Sequence, residues 1–135
     1  MVSKIFVNLP VKDLKKSIAF FTKLGFTFNP QFTDETSTCM IVSVHIFVML
    51  ITEEKFKTFT NKQIADSLKT KEVLLALSVD SNAVVDDVFT KAIQAGAKEA
   101  MPPMDLGWMY LKTFNDLDNH HWEIFFMDEN AMPKE

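Results

Sequence analysis

Side chains that bind metals or cross-link chains are scarce. In 135 residues there is one cysteine, Cys39, and three histidines, His45, His120 and His121. A single cysteine cannot close an intramolecular disulfide, which excludes a disulfide-stapled scaffold. The same counts exclude four-cysteine and two-cysteine, two-histidine zinc sites and weigh against a three-histidine site. Positive charge is also in deficit, with 14 basic against 18 acidic residues and a net charge of −4. Nucleic-acid binding draws most of its affinity from lysine and arginine on phosphate. The only basic cluster, Lys12, Lys15, Lys16 and Lys23, lies beside Asp13 on the outer face of an expected helix, so no nucleic-acid partner is expected. Long apolar runs are missing as well. The longest charge-free window, Thr36 to Thr52, is broken by Ser37, Ser43 and His45 and is shorter than a membrane span. The apolar run after Lys4 stops at Pro10, too short for a signal peptide. These absences lead us to expect a cytoplasmic protein with no membrane partner.

What is present is ordinary globular material with an excess of two residue types. The hydrophobic fraction is 47%, the charged fraction 24%, and phenylalanine and methionine number 13 and 8. The length suits a single domain spanning 1–135.

Periodicity and punctuation divide the chain into two similar halves. Lys4–Leu9 reads as a strand ending at Pro10. Asp13 can cap a helix whose apolar stripe is Leu14, Ile18, Phe21 and Leu24, with Gly25 closing it. Three β-like runs follow, Phe26–Asp34, Thr38–Val44 and Ile46–Thr52, the last two separated by a tight hairpin at His45. A polar connector, 53–72, is expected to carry one or two short helices. Val73–Val79 is a continuous apolar strand, and Asp80-Ser81-Asn82 caps a second helix with the stripe Val85, Val88, Ala92 and Ala95, closed by Gly96. Ala97–Met101, Trp108–Phe114 and His121–Met127 complete the second half as strands. Phe21-Thr22-Lys23 and Phe89-Thr90-Lys91 echo each other shortly before the two closing glycines. The expected fold is α+β, with βαβββ modules at 4–52 and 73–127 and mixed sheets curled around a cavity.

Two stretches carry a family resemblance. Val11-Lys12-Asp13-Leu14, Ser17, Phe20-Phe21 and Leu24-Gly25-Phe26 resemble the opening V-x-D-L-x-x-S-x-x-F-Y-x-x-L-G-F of the vicinal oxygen chelate superfamily. Phe114-Asn115-Asp116-Leu117-Asp118-Asn119-His120-His121-Trp122-Glu123-Ile124 is similar to its closing F-x-D-P-D-G-N-x-W-E-L. That superfamily includes glyoxalase I, extradiol dioxygenases, and fosfomycin- and bleomycin-resistance proteins. The resemblance implies paired βαβββ modules, a homodimer and a ligand cavity inside the rolled sheet. In metal-dependent members it also implies a divalent ion held by His or Gln and Glu from the first and last strands of each module. Carried over position by position, those ligand positions fall at Phe6, Leu50 (uncertain by one residue), Leu74 and Glu123, and only Glu123 keeps its residue.

The remaining candidates follow from strand alternation, which puts Phe6 with Asn8 and His121 with Glu123 and Phe125. The resemblance then suggests a binding module for an apolar or aromatic small molecule. Phe6, Leu50, Leu74, Trp108 and Phe125 would line its cavity, Tyr110 would join Trp108 at an aromatic rim, and Asn8, His121 and Glu123 would supply polar contacts. No cofactor is expected, and Glu123 is the one family metal ligand retained. The alternative is a metal-dependent lyase or dioxygenase of the glyoxalase type, with Glu123 as the catalytic residue. Asp116 reads as a turn cap, His120 as a solvated or turn-bonding residue, and Cys39 as a buried apolar side chain.

Overall fold

Two units, divided between Ala65 and Asp66, repeat one plan. The computed structural model describes residues 1–134. In the first unit the order is β1 (Ile5–Val11), α1 (Leu14–Lys23), β2 (Thr27–Asn29), β3 (Ser37–Ser43), β4 (Ile46–Thr52) and the single-turn α2 (Glu53–Phe56). Asp13 starts α1 by accepting the Lys16 amide at 3.1 Å, and Leu14, Ser17, Phe20 and Phe21 form its buried stripe. The helix carries the chain across the sheet to β2 at the far edge, so β4 returns beside β1 as its parallel partner in the order β1-β4-β3-β2. Leu50 of β4 pairs with Leu9 of β1 on one side and Thr38 of β3 on the other. Leu9, Val11, Thr38, Met40, Val48 and Leu50 are all buried, and α1 contacts β4. This is the covered face. The other face is more open: Phe6 and Asn8 are exposed, Phe47 and Met49 half-buried, and Phe6 stacks on Phe47 at 4.8 Å. Cys39 is buried, as expected, and burial pushes its thiol pKa up.

The second unit has β5 (Leu74–Ser78), α3 (Asn82–Gln94), β6 (Lys98–Glu99), β7 (Met104–Asp105), β8 (Met109–Asn115) and β9 (His121–Met127). Its sheet runs β5-β9-β8-β6, with β7 also on β8 and β5 parallel to β9. Ser81 caps α3 by accepting the Val84 amide at 3.2 Å.

Three segments differ from the sequence reading. β1 does not stop at Pro10 but runs through it to Val11, with Pro10 in register with Ile51 of β4. Phe26–Asp34 gives only three strand residues, because Asn29 caps a 3₁₀ turn that begins at Pro30, and proline has no N–H for a ladder. Ala97–Met101 gives only Lys98–Glu99; beyond the Pro102-Pro103 interruption, Met104–Asp105 resumes the edge on β8. The connector 53–72 carries one short helix, α2, within the one or two expected.

The two closing glycines do need to be glycine. Gly25 has φ +102° and Gly96 φ +113°, outside the range that side-chain-bearing residues adopt readily. A Cβ on Gly25 would meet nothing within 4 Å, whereas one on Gly96 would lie 3.2 Å from Leu117 Cδ2. Gly25→Ala is therefore expected to cost about 1 kcal/mol from backbone strain alone, and Gly96→Ala more, as read from urea-unfolding midpoints. Equal costs would mean that the Leu117 contact relaxes freely.

Candidate functional site

Tyr110 and Lys112 identify the two faces of the second sheet. Asp86 of α3 accepts from the Tyr110 hydroxyl at 2.6 Å and from Lys112 Nζ at 2.8 Å. These even-numbered β8 residues therefore face the helix. Lys112, then Tyr110, hold the Asp86 carboxyl below its ordinary pKa. In register, Lys112 lies across from Ile124 and Phe114 from Trp122, which puts the fully buried Phe114, Trp122 and Ile124 on the same helix-covered face. The opposite face carries Leu111, Thr113 and Asn115 of β8, His121, Glu123 and Phe125 of β9, and Leu74, Ala76 and Ser78 of β5. It is the open face. Leu74 is 55% exposed, Ala76 and Ser78 are exposed, and Glu123 and Phe125 are half-buried.

The polar groups on that face are unusual in one respect. His121 is buried, and its Nε2 stands 3.6 Å from Glu123 Oε1, too far for a hydrogen bond. Neither His121 Nε2 nor the buried Oδ1 of Asn115, its register partner across the hairpin, has a hydrogen-bond partner among the described residues. Their neighbour Thr113, by contrast, is satisfied: its Oγ1 accepts the Met101 amide at 2.9 Å. Buried polar groups are nearly always paired, so two adjacent orphans are a feature to explain.

The hairpin that brings Asn115 and His121 together is organised by Asp116. Its Oδ1 accepts the amides of Asp118 at 2.8 Å and His120 at 3.0 Å, and its Oδ2 accepts the Trp122 indole N–H at 2.9 Å. Asn119 turns the chain at φ 65°, donates its amide to the Asp116 carbonyl, and offers its own carbonyl to Lys71 Nζ. Burial pushes the Asp116 carboxyl pKa up, opposed by His120 and by the three donors. Asp116 is thus the turn cap the sequence suggested, and it is buried. His120 is buried as well, so of the two readings offered for it the solvated one is corrected.

The sequence-derived site residues fall in different places. Leu74, His121, Glu123 and Phe125 share the open face of the second sheet. Tyr110 lies on the opposite face, bound to Asp86. Trp108 precedes β8, half-buried, with its carbonyl accepting the Asp128 amide at 2.8 Å. In the first unit Phe6 and Asn8 share the open face, and Asn8 Nδ2 donates to the Phe6 carbonyl at 3.0 Å. Leu50 is on the covered face, opposite Phe6; Met49 is the β4 residue that shares the Phe6 face. Asn115 was missed, although the strand ends at 115 and 121 and the turn residues Asp118-Asn119 imply its pairing with His121.

The residues at the family's ligand positions do not fit a divalent ion. Glu123 has the His121 imidazole beside it at 3.6 Å, while Phe6, Leu50 and Leu74 offer no donor. Among the described residues no three His, Cys, Asp or Glu side chains stand together as a metal-binding group.

A four-stranded and a five-stranded mixed sheet, each closed by a parallel first-to-last strand pair and each with its own helix, define the glyoxalase/bleomycin-resistance/dioxygenase fold. Residues 4–43 match the family model for the bleomycin resistance protein-like N-terminal region. A hypothetical protein from S. aureus is 30% identical, with 93% of this chain and 95% of that one covered and a TM-score of 0.79. Two further structures show the fold at 18% identity. A glyoxalase/bleomycin resistance protein/dioxygenase family enzyme from Burkholderia phytofirmans PsJN has a TM-score of 0.77 with 90% and 96% coverage of this chain and its own. A glyoxalase-related enzyme from Fulvimarina pelagi has a TM-score of 0.78 with 100% and 94% coverage. The chain belongs to the vicinal oxygen chelate superfamily. A search among curated proteins finds no match. Among the described residues no helix is long and apolar enough to cross a membrane.

Proposed function

We propose that this protein binds an apolar or aromatic small molecule on the open face of its second sheet, with Glu123 as polar anchor and no tightly held metal. The observation that carries this reading is the half-buried Glu123 beside the orphaned His121 Nε2, on a face that also carries the apolar Leu74, Leu111 and Phe125 among Ala76, Ser78, Thr113 and Asn115. Small-molecule sites commonly combine apolar walls with a few polar groups. The donor set supports binding without a metal, because one carboxylate and one imidazole fall short of a four-ligand sphere.

Titration of the labelled protein with planar aromatic fragments, followed by NMR, tests the proposal. Amide shifts should cluster on β5, β8 and β9, and Glu123→Gln should weaken any ligand that donates to Glu123 by about tenfold, the weight of one hydrogen bond to a charged group. Shifts scattered over both units would sink it. Stoichiometric zinc, nickel, manganese or iron in purified protein would favour the metal-dependent lyase or dioxygenase instead.

A further inference from the structure

Three of the eight methionines gather at one end of the second sheet. Met109 of β8 pairs directly with Met127 of β9. Met104 of β7, on the other side of β8, pairs with Leu111, two residues along from Met109. Tyr110 and Lys112 turn to α3, so Met109 and Leu111 face away from it, and their register partners Met127 and Met104 share that open face. Side chains directly opposite each other have Cβ atoms about 5 Å apart, and diagonal ones about 7–8 Å, within reach of long side chains. A methionine carries its sulfur two bonds beyond Cβ, so three thioethers placed this way can converge.

Packing does not account for the cluster. Methionine usually serves to fill irregular gaps in a core, as the fully buried Met40 does. Met104 is instead 45% exposed, and Met109 and Met127 are half-buried, so the group is reachable from solvent. Lys112, the one lysine of β7, β8 and β9, lies on the opposite face, so these strands bring no fixed positive charge to the cluster. A thioether is neutral, has no proton to lose and is only a weak hydrogen-bond acceptor. As a metal ligand it is soft and selects copper(I), whereas magnesium, calcium and manganese take oxygen. We propose that Met104, Met109 and Met127 form a thioether site for a soft monovalent cation, copper(I). Four residues of β9, about 13 Å of strand, separate Met127 from Glu123, and the site uses none of the family's ligand positions. It therefore does not rest on the small-molecule reading above.

The test follows the methionine methyl groups by NMR while silver(I), a redox-inert stand-in for copper(I), is titrated into the full chain in chloride-free buffer. Cys39→Ala is the background, because a thiolate would take silver ahead of a thioether. The signals of Met104, Met109 and Met127 should shift and saturate at one silver per chain. Copper(I) under argon should shift the same three, and zinc(II) none. Met109→Leu keeps the volume and should weaken silver binding by about tenfold or more, since even an outer-shell change costs a metal site that much. Met127→Leu should act alike, whereas Met49→Leu, in the first unit, should leave the affinity within about twofold. With no proton to displace, the affinity should also stay within about threefold between about pH 6 and pH 8. Shifts spread over Met49, Met101 and Met132 would overturn the site, as would equal shifts with zinc(II). So would Met109→Leu and Met127→Leu proteins that bind silver as before, or an affinity that climbs with pH, the mark of an imidazole ligand.

Discussion

Asp116→Ala is expected to destabilise the protein by about 3 kcal/mol or more, seen as a fall in the urea midpoint and a Tm lower by on the order of 10 °C. The side chain is 6% exposed and accepts from the amides of Asp118 and His120 and from the Trp122 indole. Alanine leaves all three donors without an acceptor in a region where water is scarce, and each orphaned buried group costs about 1–3 kcal/mol. Asp116→Asn separates charge from shape. Its amide oxygen can still accept the two backbone N–H groups, but its NH₂ then faces another donor, the Trp122 indole. The pH dependence has a definite sign. Burial raises the Asp116 pKa in the folded protein, so the fold holds that proton more tightly than the unfolded chain does. The resulting stability is fully present below the ordinary aspartate value and is lost as pH rises through the raised folded value. Asparagine lacks this contribution. The cost of Asp116→Asn should therefore be larger at acidic pH than at neutral pH, in paired urea titrations of the two proteins. A cost that grows with pH would mean that the three donors outweigh burial and hold the carboxyl ionised.

Much of the architecture was legible because its signals are local. Asp13 and Ser81 cap helices through their own side chains, and Gly25 and Gly96 mark positive-φ closures, so helix positions follow from sequence alone. β4 and β9 match their expected bounds because the apolar runs are continuous and bordered by turns. The family motif around Asp116 to Glu123 located the hairpin that joins β8 to β9. The site's faces were less legible. Tyr110 beside Trp108 reads as an aromatic rim, but whether it joins Glu123 depends on strand alternation counted across β8 and β9, and the Asp86 contact that settles the question comes from α3, 24 residues earlier in the chain. The orphaned Asn115 Oδ1 depends on the whole packed surroundings and has no signature in composition or spacing.

The same register argument yields the second large effect. Aligning the family pattern puts the missing carboxylate of the first module at Leu50, with an uncertainty of one residue. One residue in a strand is the difference between two faces. Leu50 pairs with Leu9 and Thr38, and its exposure is 0%. Leu50→Glu would remove a core side chain worth about 2–5 kcal/mol and place a carboxylate where neither water nor a cation meets it, for several kcal/mol more. The sum approaches the entire stability of a typical small domain, about 5–15 kcal/mol, so the variant should be largely unfolded or insoluble. Met49→Glu should behave differently. Met49 is half-buried on the face that carries Phe6 and Asn8, so the carboxylate can reach solvent, and the expected cost is below about 2 kcal/mol. Circular dichroism and urea unfolding of the two variants decide the matter. A folded Leu50→Glu protein beside an unfolded Met49→Glu protein would reverse the face assignment of β4.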